Sequence, residues 1–178
     1  MPSIQKKNPE FEFNSPQKMN VFVTVGTHPQ QFNRLLRKVD ELVAKKKLTG
    51  LVFAQTGASD YIPKNYAFEK YLDLDAFEKK IAGADLVISH GGEGNIGLAL
   101  KYKKKCIAMP RLYRFGEHTN DHQTELVEAA AKAQKILAAW SESELEKQVL
   151  KIDAFEPYFE QGPKKIIALL EDFFKERV

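Results

Sequence analysis

Residues 86–95, LVISHGGEGN, decide the fold of this chain. The segment opens with a short apolar run, Leu86-Val87-Ile88, of the kind found in strands that are buried on both faces. A glycine-rich turn follows, and a helical pattern of apolar residues comes after the turn. A strand, a tight turn and a helix in this order predict one unit of a parallel α/β sheet.

The same order recurs along the chain, so we predict a doubly wound parallel sheet of the Rossmann-like α/β class. The predicted strands are 21–25, 51–54, 66–72, 86–88, 107–109 and 134–137. The predicted helices are 29–46, 93–103 and 163–175, with three more that begin near Asp73 or Asp75, near Asn120 or Asp121, and near Ser141 or Ser143.

The composition limits the classes of function. A chain of 178 residues with 43% hydrophobic content is typical of one globular domain. The net charge of +3 is too small to indicate nucleic-acid binding. Lysine runs at 45–47 and 103–105 lie at predicted helix ends, where they either offset the helix dipole or face an anionic membrane. No apolar run approaches the ~20 residues that span a bilayer, and the single Cys106 fits a reducing compartment.

The two ends of the chain differ from its centre. Residues 1–18 are polar, contain three prolines and lack periodicity, so we predict a mobile N-terminal extension. The folded domain is then 19–178. In its last part, 163–178, apolar residues occupy more than one stripe of the predicted helix. Packing on the sheet and docking to another protein both account for that pattern.

Glycines at Gly91, Gly92 and Gly94 let the backbone turn sharply and approach a ligand closely. The following helix directs free N–H groups and partial positive charge at whatever lies there, which suits a diphosphate. A tight turn without any ligand is the simpler alternative.

Gly92, Gly94 and Gly97 also match the G-x-G-x-x-G fingerprint of NAD(P)-binding proteins. That fingerprint normally follows the first strand, whereas here it follows the fourth. The acidic residue expected at the tip of the next strand is replaced by Pro110-Arg111, and no length remains for a substrate domain. A nicotinamide enzyme is therefore a minor alternative.

A second polar segment, residues 117–123, follows the next predicted strand. A capping box of Asn120 and Gln123 explains part of it. All four histidines of the chain fall at predicted strand-to-helix connections: His28, His90, His118 and His122. Because those connections share one edge of a parallel sheet, they predict a functional site there. No H-E-x-x-H pair is present, so we predict no metal.

Four blocks of sequence together resemble the C-terminal domain of glycosyltransferase family 28. They are VTVGTH at 23–28, QTG at 55–57, SHGG at 89–92, and the stretch from Pro110-Arg111 to Glu117-His118 and Asp121-His122-Gln123. The resemblance covers about Met19 to Leu137. It is strongest to stand-alone members: the catalytic subunit of the two-subunit N-acetylglucosaminyltransferase of dolichol-linked oligosaccharide synthesis, and subunits of capsule and exopolysaccharide glycosyltransferases.

The resemblance implies the donor-binding half of a GT-B enzyme that uses a UDP-sugar and inverts the anomeric centre without a bound metal or other cofactor. A membrane-anchored partner subunit would supply the half that binds a lipid-linked acceptor, so this chain would lie at the cytoplasmic face of a membrane. Gly26, Thr27, Gly91, Gly92 and Gly94 would hold the diphosphate. Asp121 and Gln123 would lie beside the donor sugar, His90 and His118 near the leaving group, and His28 is a candidate general base. The implied donor-binding set also includes Asn95, Arg111, Glu117 and His122.

Two positions depart from the family pattern. Many relatives have a serine at the position of Asn95 and a ribose-binding glutamate at the position of Leu98. Leucine cannot accept a hydrogen bond from a ribose hydroxyl. A non-catalytic enhancer subunit of a polysaccharide glycosyltransferase is therefore the second hypothesis from the sequence.

Overall fold

The computed structural model describes residues 19–159 of the chain. Its strands are β1 (Asn20–Thr24), β2 (Leu51–Gln55), β3 (Ala67–Glu69), β4 (Leu86–Ser89), β5 (Lys105–Ala108) and β6 (Leu137–Ala138). They form one parallel sheet in the order β3-β2-β1-β4-β5-β6. The predicted doubly wound parallel sheet is confirmed. The predicted extension at 1–18 and the predicted helix at 163–175 lie outside the described residues.

Five α-helices lie within 19–159; the first four connect strands and the fifth follows β6. They are α1 (Asn33–Ala44), α2 (Leu74–Gly83), α3 (Glu93–Lys101), α4 (His122–Lys132) and α5 (Glu142–Lys151). Two predicted N-caps are confirmed, since Asp73 accepts a hydrogen bond from Ala76 N at 2.7 Å and Ser141 accepts one from Glu144 N at 3.2 Å. None of the helices within 19–159 is both long and apolar enough to cross a bilayer.

Alternation along the strands divides the core into two layers. In β1, Val21 and Val23 pack with α1 and α5 on one face, while Phe22 packs with α2, α3 and α4 on the other. The central strand β4 is buried at every position, which explains its continuous apolar run. The residues that are buried on the two faces of the sheet therefore form the core that stabilises the fold.

The edges of the sheet differ from the sequence prediction. β3 is limited to three residues, and β6 begins at Leu137 instead of 134. Gln134 has a positive φ of 55°, which ends the turn after α4, and Lys135 and Ile136 lead into β6. Helix α1 begins at Asn33, because residues after β1 form an extended loop before it.

Candidate functional site

A cleft of about 270 Å³ opens at the carboxyl ends of β1, β2 and β4. The order of the strands reverses between β1 and β4, and ligands of open α/β sheets bind at that reversal. The cleft is lined by Gly26, Thr27, Gln55, Leu72, Leu74, Phe77, His90, Gly92, Gly94 and Asn95. Six of these are residues that the sequence predicted for the site.

The imidazole of His90 lies between two glycines. Gly26 has a φ of +73°, and a Cβ there would lie 2.6 Å from Cε1 of His90. A Cβ on Gly92 would lie 2.4 Å from Nε2 of the same ring. Glycine is therefore required at both positions for the two loops to close on His90. Gly91 does not line the cleft, because the space beside it is filled by Val127.

The N-terminus of α3 faces this cleft. Its N-cap is Gly92, which makes no side-chain capping hydrogen bond. Nothing lies within 4 Å of a Cβ placed on Gly94 in the first turn. Helix N-termini carry free N–H groups and partial positive charge, so this end of α3 is suited to an anionic ligand.

Asn95 joins the two loops beneath the cleft. Its Nδ2 lies 3.5 Å from Thr24 Oγ1, 3.4 Å from Ser89 Oγ and 3.3 Å from His90 Nδ1. Burial, followed by the positive charge of Arg111, lowers the pKa of His90 to about 3. The ring is therefore neutral at pH 7. The neutral ring carries its proton on one of its two nitrogens: Nδ1 faces Asn95 Nδ2, and Nε2 lies beside Gly92.

His28 and His118 form a stacked pair, with ring centroids 4.3 Å apart and an interplanar angle of 26°. Nδ1 of His28 accepts a hydrogen bond from Gln30 N, and Nδ1 of His118 accepts one from Asn120 N. Burial, then the charges of His118 and Arg111, lower the pKa of His28. The structure thus brings together two histidines that are 90 positions apart in the sequence.

Arg111 and Glu117 depart from the prediction that they contact the donor. Arg111 is fully buried, and its guanidinium donates to backbone oxygens within the protein, including Val25 O at 2.6 Å. Glu117 is 1% exposed and forms an ion pair with Arg34 at 2.9 Å. Both side chains are bonded to other groups of the protein, and neither faces the cleft.

The polar residues at the start of α4 also form hydrogen bonds mostly with the loop that precedes this helix. Asp121 Oδ1 accepts from Tyr113 N at 2.8 Å, and Gln123 Oε1 accepts from Arg111 N at 3.3 Å. The capping box of Asn120 and Gln123 is not formed, since Asp121 is the N-cap. His122 is exposed at the first position of α4. None of these side chains lines the cleft.

Sequence reasoning missed the apolar side of the cleft. Leu72, Leu74 and Phe77 lie where β3 leads into α2, and Leu74 is 76% exposed. An exposed leucine beside a cleft would have indicated this apolar wall, but the exposure of a side chain cannot be read from the sequence. Leu98 lies away from this wall, partly buried against the apolar layer of α3.

A larger depression, of about 610 Å³, lies on the outer side of α1. Most of its charged side chains pair with one another: Arg34 with Glu117 and Glu142, and Lys38 with Glu41. It shares no lining residue with the cleft at the ends of β1, β2 and β4, so we assign it no site.

Metal and thiol chemistry find no support in the described residues. Within 19–159 no cluster of three or more His, Cys, Asp or Glu side chains is arranged to hold a metal ion. Burial raises the pKa of the Cys106 thiol to about 12, so that thiol is not a nucleophile at neutral pH.

Fold and cleft together define a Rossmann-like α/β domain of the kind that forms one half of GT-B glycosyltransferases. The model of the glycosyltransferase family 28 C-terminal domain matches residues 20–176. The chain therefore belongs to this family, which confirms the resemblance seen in its motifs.

Solved structures share the fold. The NMR structure of ALG13 is 17% identical with a TM-score of 0.60, and the match covers 86% of this chain and 96% of ALG13. MurG of Acinetobacter baumannii is 14% identical with a TM-score of 0.54, over 79% of this chain and 41% of MurG. The calicheamicin glycosyltransferase CalG4 is 12% identical with a TM-score of 0.59, over 94% of this chain and 46% of CalG4.

At these identities the likeness establishes the fold alone. The chain spans less than half the length of MurG and CalG4, and nearly all of ALG13. No curated protein sequence matches the chain.

Proposed function

We propose that this chain is the donor-binding, catalytic subunit of an inverting, UDP-sugar-dependent glycosyltransferase. The observation that carries the proposal is the uncapped N-terminus of α3, which faces a glycine-walled cleft at the reversal of the strand order. An anionic diphosphate is the ligand that such a helix end favours. Leu72, Leu74 and Phe77 offer the same cleft an apolar wall for a planar base.

The match to ALG13 supports a partner subunit, because it covers 96% of ALG13, against 41% of MurG and 46% of CalG4. The other half of a GT-B enzyme would bind the acceptor and close the cleft. In this proposal a membrane-anchored partner supplies that half, holds a lipid-linked acceptor, and recruits this chain to the cytoplasmic face of the membrane.

The cleft stabilises negative charge without a metal in this proposal. When the bond between the sugar and UDP breaks, charge develops on the leaving phosphate oxygen. The N–H groups at the start of α3 are fixed donors that favour this charge, and the neutral imidazole of His90 lines the same cleft. His118 is nearby in the adjoining loop.

His28 is a weaker candidate for the general base than its sequence position implied. Its Nδ1 already accepts a hydrogen bond from Gln30 N, so the proton of the neutral ring is on Nε2. To take a proton from an acceptor hydroxyl, His28 would first have to give up that hydrogen bond. A base supplied by the partner half is equally consistent with this arrangement.

Calorimetry with UDP, UDP-sugars and NADH, with and without the partner, tests the proposal. We expect binding of UDP and of one UDP-sugar. The variants Gly94→Leu and Gly97→Leu form a matched pair, since both positions are open within α3 but only Gly94 lines the cleft. Gly94→Leu should abolish binding and Gly97→Leu should preserve it.

A non-catalytic enhancer is the second candidate function. Leu98 favours it, because its apolar side chain, which lies on α3 itself, provides no acceptor for the ribose hydroxyls. Absence of UDP binding both with and without the partner would support the enhancer. Binding of NADH instead would support a nicotinamide enzyme.

A further inference from the structure

Arg111 belongs to the loop between β5 and α4, and its guanidinium reaches the loop between β1 and α1. Its Nη1 donates to Gln30 O at 2.8 Å, Gln31 O at 3.0 Å and Glu117 O at 2.9 Å. Its Nη2 donates to Val25 O at 2.6 Å. The side chain is fully buried. One guanidinium therefore holds four backbone carbonyls.

These carbonyls come from two separate connections. Three belong to the loop between β1 and α1, and the fourth belongs to the loop between β5 and α4. A buried charge is costly unless it is satisfied, and here carbonyl oxygens accept from Nη1 and Nη2, while Nε has no hydrogen-bond partner among the described residues. Two nitrogens of the guanidinium share the four carbonyls, whereas lysine carries its three N–H donors on one nitrogen and cannot serve all four.

The two loops carry the stacked histidines, His28 on the first and His118 on the second. We propose that Arg111 is a positioning residue that holds these two loops together, and so fixes the His28–His118 pair at the mouth of the donor cleft. The link to the donor rests on the proposed function, whereas the link to the histidine pair rests on geometry alone.

The charge of Arg111 has a second consequence at the same place. After burial, it is among the causes that lower the pKa values of both His28 and His90. The other charged groups acting on His28 and His90 are the histidines themselves. Arg111 thus sets the position of the loops through its hydrogen bonds and favours neutral imidazoles through its charge.

Two substitutions separate these effects. Arg111→Lys keeps the charge but loses the fork, and Arg111→Met loses both. Arg37→Met is the matched control, because Arg37 is an exposed arginine on α1 whose guanidinium lies over Tyr61. The readouts are nuclear Overhauser contacts between the rings of His28 and His118, the titration of His28 followed by NMR, and the affinity for the UDP-sugar.

We expect the inter-ring contacts to be lost in both Arg111 variants and kept in Arg37→Met. The pKa of His28 should rise in Arg111→Met and stay low in Arg111→Lys. The affinity for the UDP-sugar should fall about 10- to 100-fold in both, as misplacement of binding groups predicts.

The proposal is overturned if Arg111→Lys keeps both the inter-ring contacts and the affinity of the wild-type chain. Should Arg111→Met fail to fold, Arg111→Lys alone decides. If the wild-type chain binds no UDP-sugar, the proposed function is wrong. The contacts between the two histidine rings then test the positioning role of Arg111 independently of the ligand.

Discussion

The loop between β4 and α3 and the loop between β5 and α4 look alike in sequence and differ in structure. Both follow a buried strand, both precede a helix, and both contain histidine and polar residues. The first leaves its helix without a side-chain cap and its glycines open to the cleft. In the second, Glu117, Asp121 and Gln123 bond to the protein itself.

The difference shows that polar side chains after a strand can serve either a ligand or the loop. The β4–α3 loop is short: His90 N and Gly91 N are bonded within the protein, and the first turn of α3 after Gly92 faces the cleft. The β5–α4 loop runs from 109 to 121, and a long connection must satisfy its own polar groups before it is ordered. The following predictions, ordered by expected effect, test this division.

Breaking the buried ion pair of the β5–α4 loop should have the largest effect. Glu117→Ala leaves Arg34 buried without its carboxylate partner, so we expect the free energy of unfolding to fall by about 3–5 kcal/mol. Glu142→Ala is the control, because it removes an exposed partner of the same Arg34 at 3.8 Å and should cost under about 1 kcal/mol. Urea unfolding measures both, and equal losses would contradict the structural role of Glu117.

Filling the space beside His90 comes next. Gly26→Ala combines a positive φ with a clash against the ring, so it should destabilise by about 2–4 kcal/mol. Gly116→Ala has a similar φ of 65° and no neighbour within 4 Å, so it should cost only about 1 kcal/mol. Thermal unfolding of the two variants compares them, and a similar loss in both would show that the contact with His90 is unimportant.

The buried His90 should make stability depend on pH. Its folded pKa is about 3, against an ordinary value of 6.5 for histidine, so between these values the unfolded chain binds a proton that the folded chain does not. Stability should therefore fall as the pH drops below 6.5, with a slope from this group of at most about 1.4 kcal/mol per pH unit.

The difference between variants isolates this contribution. Urea unfolding at pH 7, 6, 5 and 4 should give a shallower loss for His90→Gln than for the wild type. His122→Gln, at an exposed position, should follow the wild type. Parallel curves for all three proteins would show that His90 is not the buried neutral group described above.

The smallest effect on stability should come from the open glycines of α3. Gly94→Ala and Gly97→Ala meet no atom within 4 Å, so each should stabilise the fold by about 0.5–1 kcal/mol. Only Gly94 lines the cleft, so only Gly94→Ala should weaken UDP binding. Thermal unfolding and calorimetry on the same samples test both parts, and a loss of affinity in both variants would place the ligand elsewhere.

Most of the fold was predictable because its signals are local. The central strands were recognisable from apolar runs such as Leu86-Val87-Ile88, and Asp73 and Ser141 were recognisable as helix caps. The edge strands β3 and β6 were placed less well. Edge strands are short and half-exposed, so they carry little apolar pattern, and the turn at Gln134 has no glycine to mark it.

The site was predictable in location and less so in detail. Gly26, Gly92 and Asn95 meet at one cleft because parallel strands bring their carboxyl ends to one edge. The sequence did not distinguish Arg111 from a ligand-binding arginine, because three of its four acceptors are carbonyls 80 or more positions away. The wall of Leu72, Leu74 and Phe77 likewise depends on exposure that only packing decides.

The sequence alone determined that this chain forms a parallel α/β sheet with a glycine turn before a helix, since hydrophobic period and glycine placement act between near neighbours. Tertiary structure alone decided which polar residues remain available to a ligand. A side chain is free or occupied according to the groups that pack against it, and for Arg111, Glu117 and the His28–His118 pair those groups come from distant parts of the chain.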